Sequence, residues 1–147
     1  MLTMLLGMAE LGKLIYCGIE VTNSARAAAQ YATMNGGAFS TTDSSGLDKQ
    51  GMLNAAQADS GAFVTIPATI PSSNPALPNP SYTCACSDGS ASYSCNVKSN
   101  YPSGCSSSHL IVTVTVYTLG TFTPDIKIPG LPISYTLQGR AIEEVLE

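Results

Sequence analysis

The chain has 147 residues and a net charge of −4, from ten acidic and six basic side chains. This length holds one domain with a modest core and an appended element, and excludes two large domains. No basic run occurs, which argues against nucleic acid as a partner, since phosphate binding needs clustered Lys and Arg.

Charged residues make up 11% of the chain, less than half of the ~25% usual in soluble domains. Ser, Thr, Asn, Gly, Pro and Ala take their place. Such a surface suits a secreted protein, and it lets subunits pack without burying unpaired charge.

Residues 1–35 read as one long helix. No proline precedes Pro67, and Asn35-Gly36-Gly37 is a stop signal, because glycine accepts the left-handed conformation that ends helices. At 1.5 Å per residue the helix would be about 50 Å long, so part of it should project beyond so small a fold. Its first half is apolar, but Thr3, Glu10, Lys13, Glu20 and Ser24 recur at spacings of one helical stripe. Glu10 and Lys13, three apart, can pair on it. The segment 24–32, "SARAAAQYA", is small enough to cover a sheet closely. The N-terminus lacks the basic start and small-residue cleavage site of a secretory signal peptide, so the apolar segment reads as retained.

Residues 38–46 form a polar loop. A short second helix is expected over 47–59, with Leu47, Met52, Leu53 and Ala56 inward, Asp43, Ser44 or Ser45 as cap, and Gly51 as a weak point. Phe63 to Ile66 alternates like a strand and ends at Pro67. Residues 71–81 carry four prolines and read as a stiff connector. "YTCACSDGSASYSC", 82–95, reads as a hairpin turning at Asp88-Gly89. The clearest strand is 109–120, with Val112, Val114 and Val116 on one face. After a proline-punctuated excursion over 121–132, residues 133–146 alternate again through Ile133, Tyr135, Leu137, Gly139 and Ala141. These two strands should pair antiparallel, with the cysteine hairpin on an edge and the Ala-rich helix half as cover. The fold class is α+β, with residues 1–24 a projecting apolar helix and 25–147 a small head.

Cys84, Cys86, Cys95 and Cys105 fall within 22 residues, while Cys17 lies apart. Their spacing suits disulfides in an oxidising compartment better than zinc, whose ligands usually come as C-x₂₋₄-C pairs, even with His109 nearby. Among the three connectivities, a nested pattern with Cys86–Cys95 inside Cys84–Cys105 is the expected one. No catalytic set is legible: one histidine, no nucleophile elbow, no phosphate loop and no paired carboxylates in a cleft. Asp43, Asp48 and Asp59 read as cap and loop residues, and Glu143, Glu144 and Glu147 as a solvated C-terminal end. No enzyme activity, cofactor, metal or small-molecule substrate is expected.

"ELGKLIYCGIEVTNSARAAAQYA" resembles a segment of the TadE/TadG-like pilus proteins of the bacterial tight-adherence system. There an apolar helix runs through Glu, Phe or Leu, Gly, and Arg or Lys into an Asn-Ala-Ala-Arg pattern ending in Tyr-Ala. The matching residues are Glu10, Gly12, Lys13, Asn23, Ala25, Arg26, Ala28, Tyr31 and Ala32. The stretches "YTCACSDGSASYSC", "VTVTVYTLGTFTP" and "GLPISYTLQGRAIEEV" are similar to the distal part of these proteins. The resemblance implies a pilin-like architecture, with the helix in the inner membrane before assembly and in a filament core afterwards. It also implies other pilus subunits as possible partners, beside copies of the chain itself. One departure is clear: Gly7 is followed by an acidic residue at 10, not 12, so the family's Gly-x₄-Glu processing step is not written here.

The leading expectation is a structural subunit of an extracellular filament that self-assembles through its helix. The stripe Glu10, Lys13 and Glu20, with Arg26, would be satisfied between helices. The competing expectation is a monomeric, membrane-anchored envelope protein whose head binds a ligand or surface.

Overall fold

The computed structural model describes residues 2–34, 48–61, 80–89, 92–94, 105, 108–126 and 132–146. Helix α1 spans Leu2–Met34 and α2 spans Lys49–Ala58. Strands β1 (Ser81–Cys86), β2 (Ser92–Ser94), β3 (Leu110–Phe122) and β4 (Tyr135–Leu146) form one antiparallel sheet in the order β2-β1-β3-β4. The architecture is α+β, a long N-terminal helix against an antiparallel sheet. The expected strand at Phe63–Ile66, the polar loop and most of the proline connector lie outside the described residues.

Strand β3 pairs with β4 along its length, from Ile111↔Leu146 to Phe122↔Tyr135. Because successive side chains alternate across a sheet, Val112, Val114, Val116, Thr118 and Phe122 all turn toward α1 and are buried. Tyr135, Leu137, Gly139 and Ala141 stand on the same side of β4. Ile133, expected to open that alternation, precedes the strand and is exposed. The other face of β3–β4 is wetter and carries the stacked pair Arg140 over Tyr117, 5.7 Å from the ring centre.

Helix α1 meets the sheet through small residues. Ala25, Ala28, Ala29 and Ala32 pack with Val112, Val114, Val116 and Ala141. The closest approach is at Val21. Thr118 Oγ1 donates to the Val21 carbonyl at 2.7 Å, and Gly139, the cross-strand neighbour of Thr118, faces the same carbonyl. A Cβ on residue 139 would collide with that carbonyl, so only glycine lets the helix sit this low. A second cluster of Cys17, Val21, Leu53 and Phe122 extends the core toward the N-terminus.

Helix α2 lies against α1 with Met52, Leu53 and Ala56 buried. Its cap is Asp48, not a residue of 43–45. Asp48 Oδ1 accepts from the Gly51 N–H, while Oδ2 accepts from the Tyr31 hydroxyl, both at 2.9 Å. One carboxylate therefore both starts α2 and ties it to α1. The Tyr31 ring fills the space where a Gly51 side chain would stand, which accounts for a glycine inside this short helix.

The hairpin of β1 and β2 turns through Gly89, whose φ of 71° lies in the left-handed region. Its disulfides differ from the nested expectation: Cys86 is bonded to Cys105. Two features of the pairing explain this. The register Cys84↔Tyr93 runs four residues out of step with a Cys86–Cys95 pair. Cys86 also faces Leu110, the first residue of β3, so the chain arriving from Cys105 reaches it first. Cys84 is disulfide-bonded too, and Cys95 lies outside the described residues. Closing the 19-residue separation between Cys86 and Cys105 is worth about 3 kcal/mol in the chain-entropy account.

Candidate functional site on the first helix

The first helix has two sides with different surroundings. Toward the head, burial begins at Cys17 and continues through Glu20, Val21 and Ser24. Packing on the sheet thus starts well before the Ser24–Ala25 boundary expected from side-chain size, because Leu53 and Phe122 reach down to meet the helix. Away from the head, Met4 (76% exposed), Met8 (72%), Leu11, Ile15 (59%) and Ile19 succeed one another at three- and four-residue steps. That is one row of a helix surface. Leu5 and Tyr16, also exposed, flank it. Single exposed hydrophobes are ordinary on soluble proteins, whereas a contiguous apolar row marks a contact surface.

The polar stripe does not lie on that outer side. It faces the protein's own head. The Lys13 ammonium donates to Asp125, in the segment between β3 and β4, and stands 3.6 Å from Glu10 Oε1. The Asp125 carboxylate, helped by the charge of Glu10, holds the Lys13 pKa above the usual lysine value. Ser24 donates back to the Glu20 carbonyl at 3.0 Å, a local bond that satisfies its buried hydroxyl. Glu20 is only 8% exposed, its carboxyl packed against Gly61. Lys13 is thus paired within its own chain, while Glu10 and Glu20 each keep a buried carboxylate oxygen without a hydrogen bond among the described residues.

Arg26 is separated from the stripe. It is exposed, on the outer side, beside Ile19, Thr22 and Asn23. At 3.6 residues per turn, Arg26 stands about five turns beyond Met8 on the same row. It makes no ion pair among the described residues.

A groove runs between the first half of α1 and the β3–β4 connection. It encloses about 590 Å³ and is lined by Leu6, Leu11 and Leu14 of the helix and Phe122, Ile126 and Tyr135 of the head. Glu10 stands in its wall. Glu10 Oε2 is buried and has no hydrogen-bond partner among the described residues. Around it, among the described residues, two carboxylates (Glu10 and Asp125) share the ammonium of Lys13.

The remaining chemistry-bearing residues are scattered. Cys17 is buried and not in a disulfide. Burial, then the nearby Glu20 charge, pushes its thiol pKa up, away from reactivity. His109 is exposed just before β3, with Nδ1 3.4 Å from the Ser87 hydroxyl. No group of three or more metal-ligating side chains comes together among the described residues. Glu143, expected at a solvated end, is half-buried on the helix side of the sheet opposite Val114, while Glu144 is exposed.

No helix among the described residues is long and apolar enough to cross a membrane; Glu10, Lys13 and Glu20 interrupt the apolar half of α1. Comparison with protein-family models, with curated proteins and with solved structures gives no match.

Asp125 and the groove escape a reading of the sequence. The Lys13–Asp125 contact spans 112 positions, and neither residue carries a local pattern that names the other. The outer row is different: its three- and four-residue spacing stands in the sequence, beside the more conspicuous charged stripe.

Proposed function

We propose that this chain is a structural subunit of an extracellular, pilus-like filament, with a pilin-like fold whose first helix packs against other copies. The observation that carries the reading is the apolar row Met4, Met8, Leu11, Ile15 and Ile19, left exposed on a helix whose other side is built into the head. Full burial of each such side chain is worth about 1.5–3 kcal/mol. Five of them together are of the same order as the ~4–15 kcal/mol that association costs in lost freedom. One pairwise contact would therefore be weak. A lattice in which every copy is held on two sides would be stable, and that is the energetic signature of a polymer.

The head supports the same reading. Few charges need desolvation when copies pack, and the disulfide-bonded hairpin suits an oxidising exterior. The test is negative-stain microscopy of the full-length chain after detergent removal. Filaments are expected. A chain that stays monomeric at high concentration without detergent overturns the reading and favours a single-copy envelope protein.

A further inference from the structure

Resting on the assembly reading above, we infer that the groove beside Glu10 receives the outer row of α1 from a second copy of this chain, with the incoming Arg26 paired to Glu10. Three observations meet here. The groove is apolar and open along the helix, the kind of surface that accepts a row of Ile and Leu side chains. Its one charged side chain among the described residues is Glu10, whose carboxylate keeps a buried oxygen without a hydrogen bond and shares Lys13 with Asp125. Lys13 meets only the other oxygen, Oε1, and a buried carboxylate oxygen left without a donor is costly. The outer row ends on a cation, Arg26, which is exposed and makes no ion pair among the described residues. A guanidinium can reach both Glu10 oxygens while its stem lies on apolar surface.

Charge complementarity therefore selects the occupant. A lipid or detergent chain would fill the apolar volume and leave Glu10 Oε2 unanswered. The row Ile15, Ile19 and Arg26 answers both. Leu11 borders both surfaces, but Ile15, Ile19 and Arg26 lie on the side of α1 away from the groove, so the contact is head-to-tail, and it runs on from copy to copy where its rotation does not close a ring. A non-closing contact repeats into a filament. If the helices run parallel, bringing residue 26 beside residue 10 staggers neighbouring copies by about 24 Å, sixteen residues at 1.5 Å each.

The test uses two reversals in the full-length chain, Glu10→Arg and Arg26→Glu, alone and mixed. Each variant alone sets like charges together at every contact. The concentration needed for half the protein to sediment should rise about tenfold or more. In an equimolar mixture each groove meets the opposite charge again, and co-sedimentation should return to within about threefold of the unaltered chain. Recovery in the mixture also demonstrates that both variants fold. Should Glu10→Arg lose its thermal transition, Glu10→Gln keeps the shape and shifts sedimentation in the same direction by less. Either of two results overturns the pairing while assembly itself stands: single variants that sediment like the unaltered chain, as a lipid-filled groove would give, or folded variants whose mixture does not recover. An unaltered chain that never sediments removes the assembly reading and this inference with it.

Discussion

Val21 and Ile15 are six residues apart on one helix and have opposite surroundings. Val21 is fully buried beneath Thr118 and Gly139, while Ile15 is more than half exposed. Both are β-branched and apolar, so residue type does not separate them. What separates them is the side of α1 they occupy, and the sheet covers only one side. The inner side is already paid for by the fold. The outer side carries apolar surface whose burial no contact within the described chain provides.

The contrast can be broken from the inner side first, where effects on stability are largest. Met52→Ala empties a fully buried site between α1 and α2 and should cost about 2–5 kcal/mol, read by thermal or denaturant unfolding. Gly139→Val pushes the strand off the Val21 carbonyl and should cost about 1–3 kcal/mol. A variant as stable as the unaltered chain would mean that the helix does not sit this low. Asp48→Ala removes the α2 cap and the acceptor of Tyr31 together. A loss of about 1 kcal/mol is expected, with faster amide exchange confined to the first turn of α2.

The outer side should respond in the reverse way. Ile15→Lys lies away from any packing and should leave stability within about 0.5 kcal/mol, yet weaken self-association. The smallest effect is on the pH dependence. Tyr31, whose hydroxyl donates to Asp48, and Lys13, paired with Asp125, both have raised pKa values. Their contributions are complete below the ordinary values of 10.0 and 10.5 and fade as pH rises through the raised ones. Stability from these contacts should be flat near neutrality and decline only in alkali. A loss between pH 6 and 8 would contradict the assignment of these two contacts.

The same contrast explains what was legible in the residues. Both helices, the β3 alternation through Val112, Val114 and Val116, the β4 pairing and the Asp88-Gly89 turn follow from periods and turn chemistry that act over a few residues. The Ala-rich cover of the sheet is legible for the same reason, since small side chains announce close approach. The polar stripe shows the limit. Periodicity reveals that Glu10, Lys13 and Glu20 share a side, but not what that side meets, and their nearest suitor in sequence, Arg26, proved to lie on the other side. The partner that Lys13 has, Asp125, is brought near only by the completed fold. The disulfide expectation erred on register, because four cysteines admit several hairpins and only the strand pairing sets which one meets β3. Asp48 is legible as a cap or loop residue but not as the cap of α2 in particular, because Asp43, Ser44 and Ser45 offer the same chemistry a few residues earlier.

The central claim is that the outer row of α1 is an assembly surface and contributes nothing to the head's own stability. Sedimentation velocity of the full-length chain carrying Met8→Lys and Ile15→Lys, beside the unaltered chain in detergent-free buffer, tests it most directly. The account predicts a folded monomer for the variant and large, fast-sedimenting species for the unaltered chain. A variant that sediments with the same large species would contradict it.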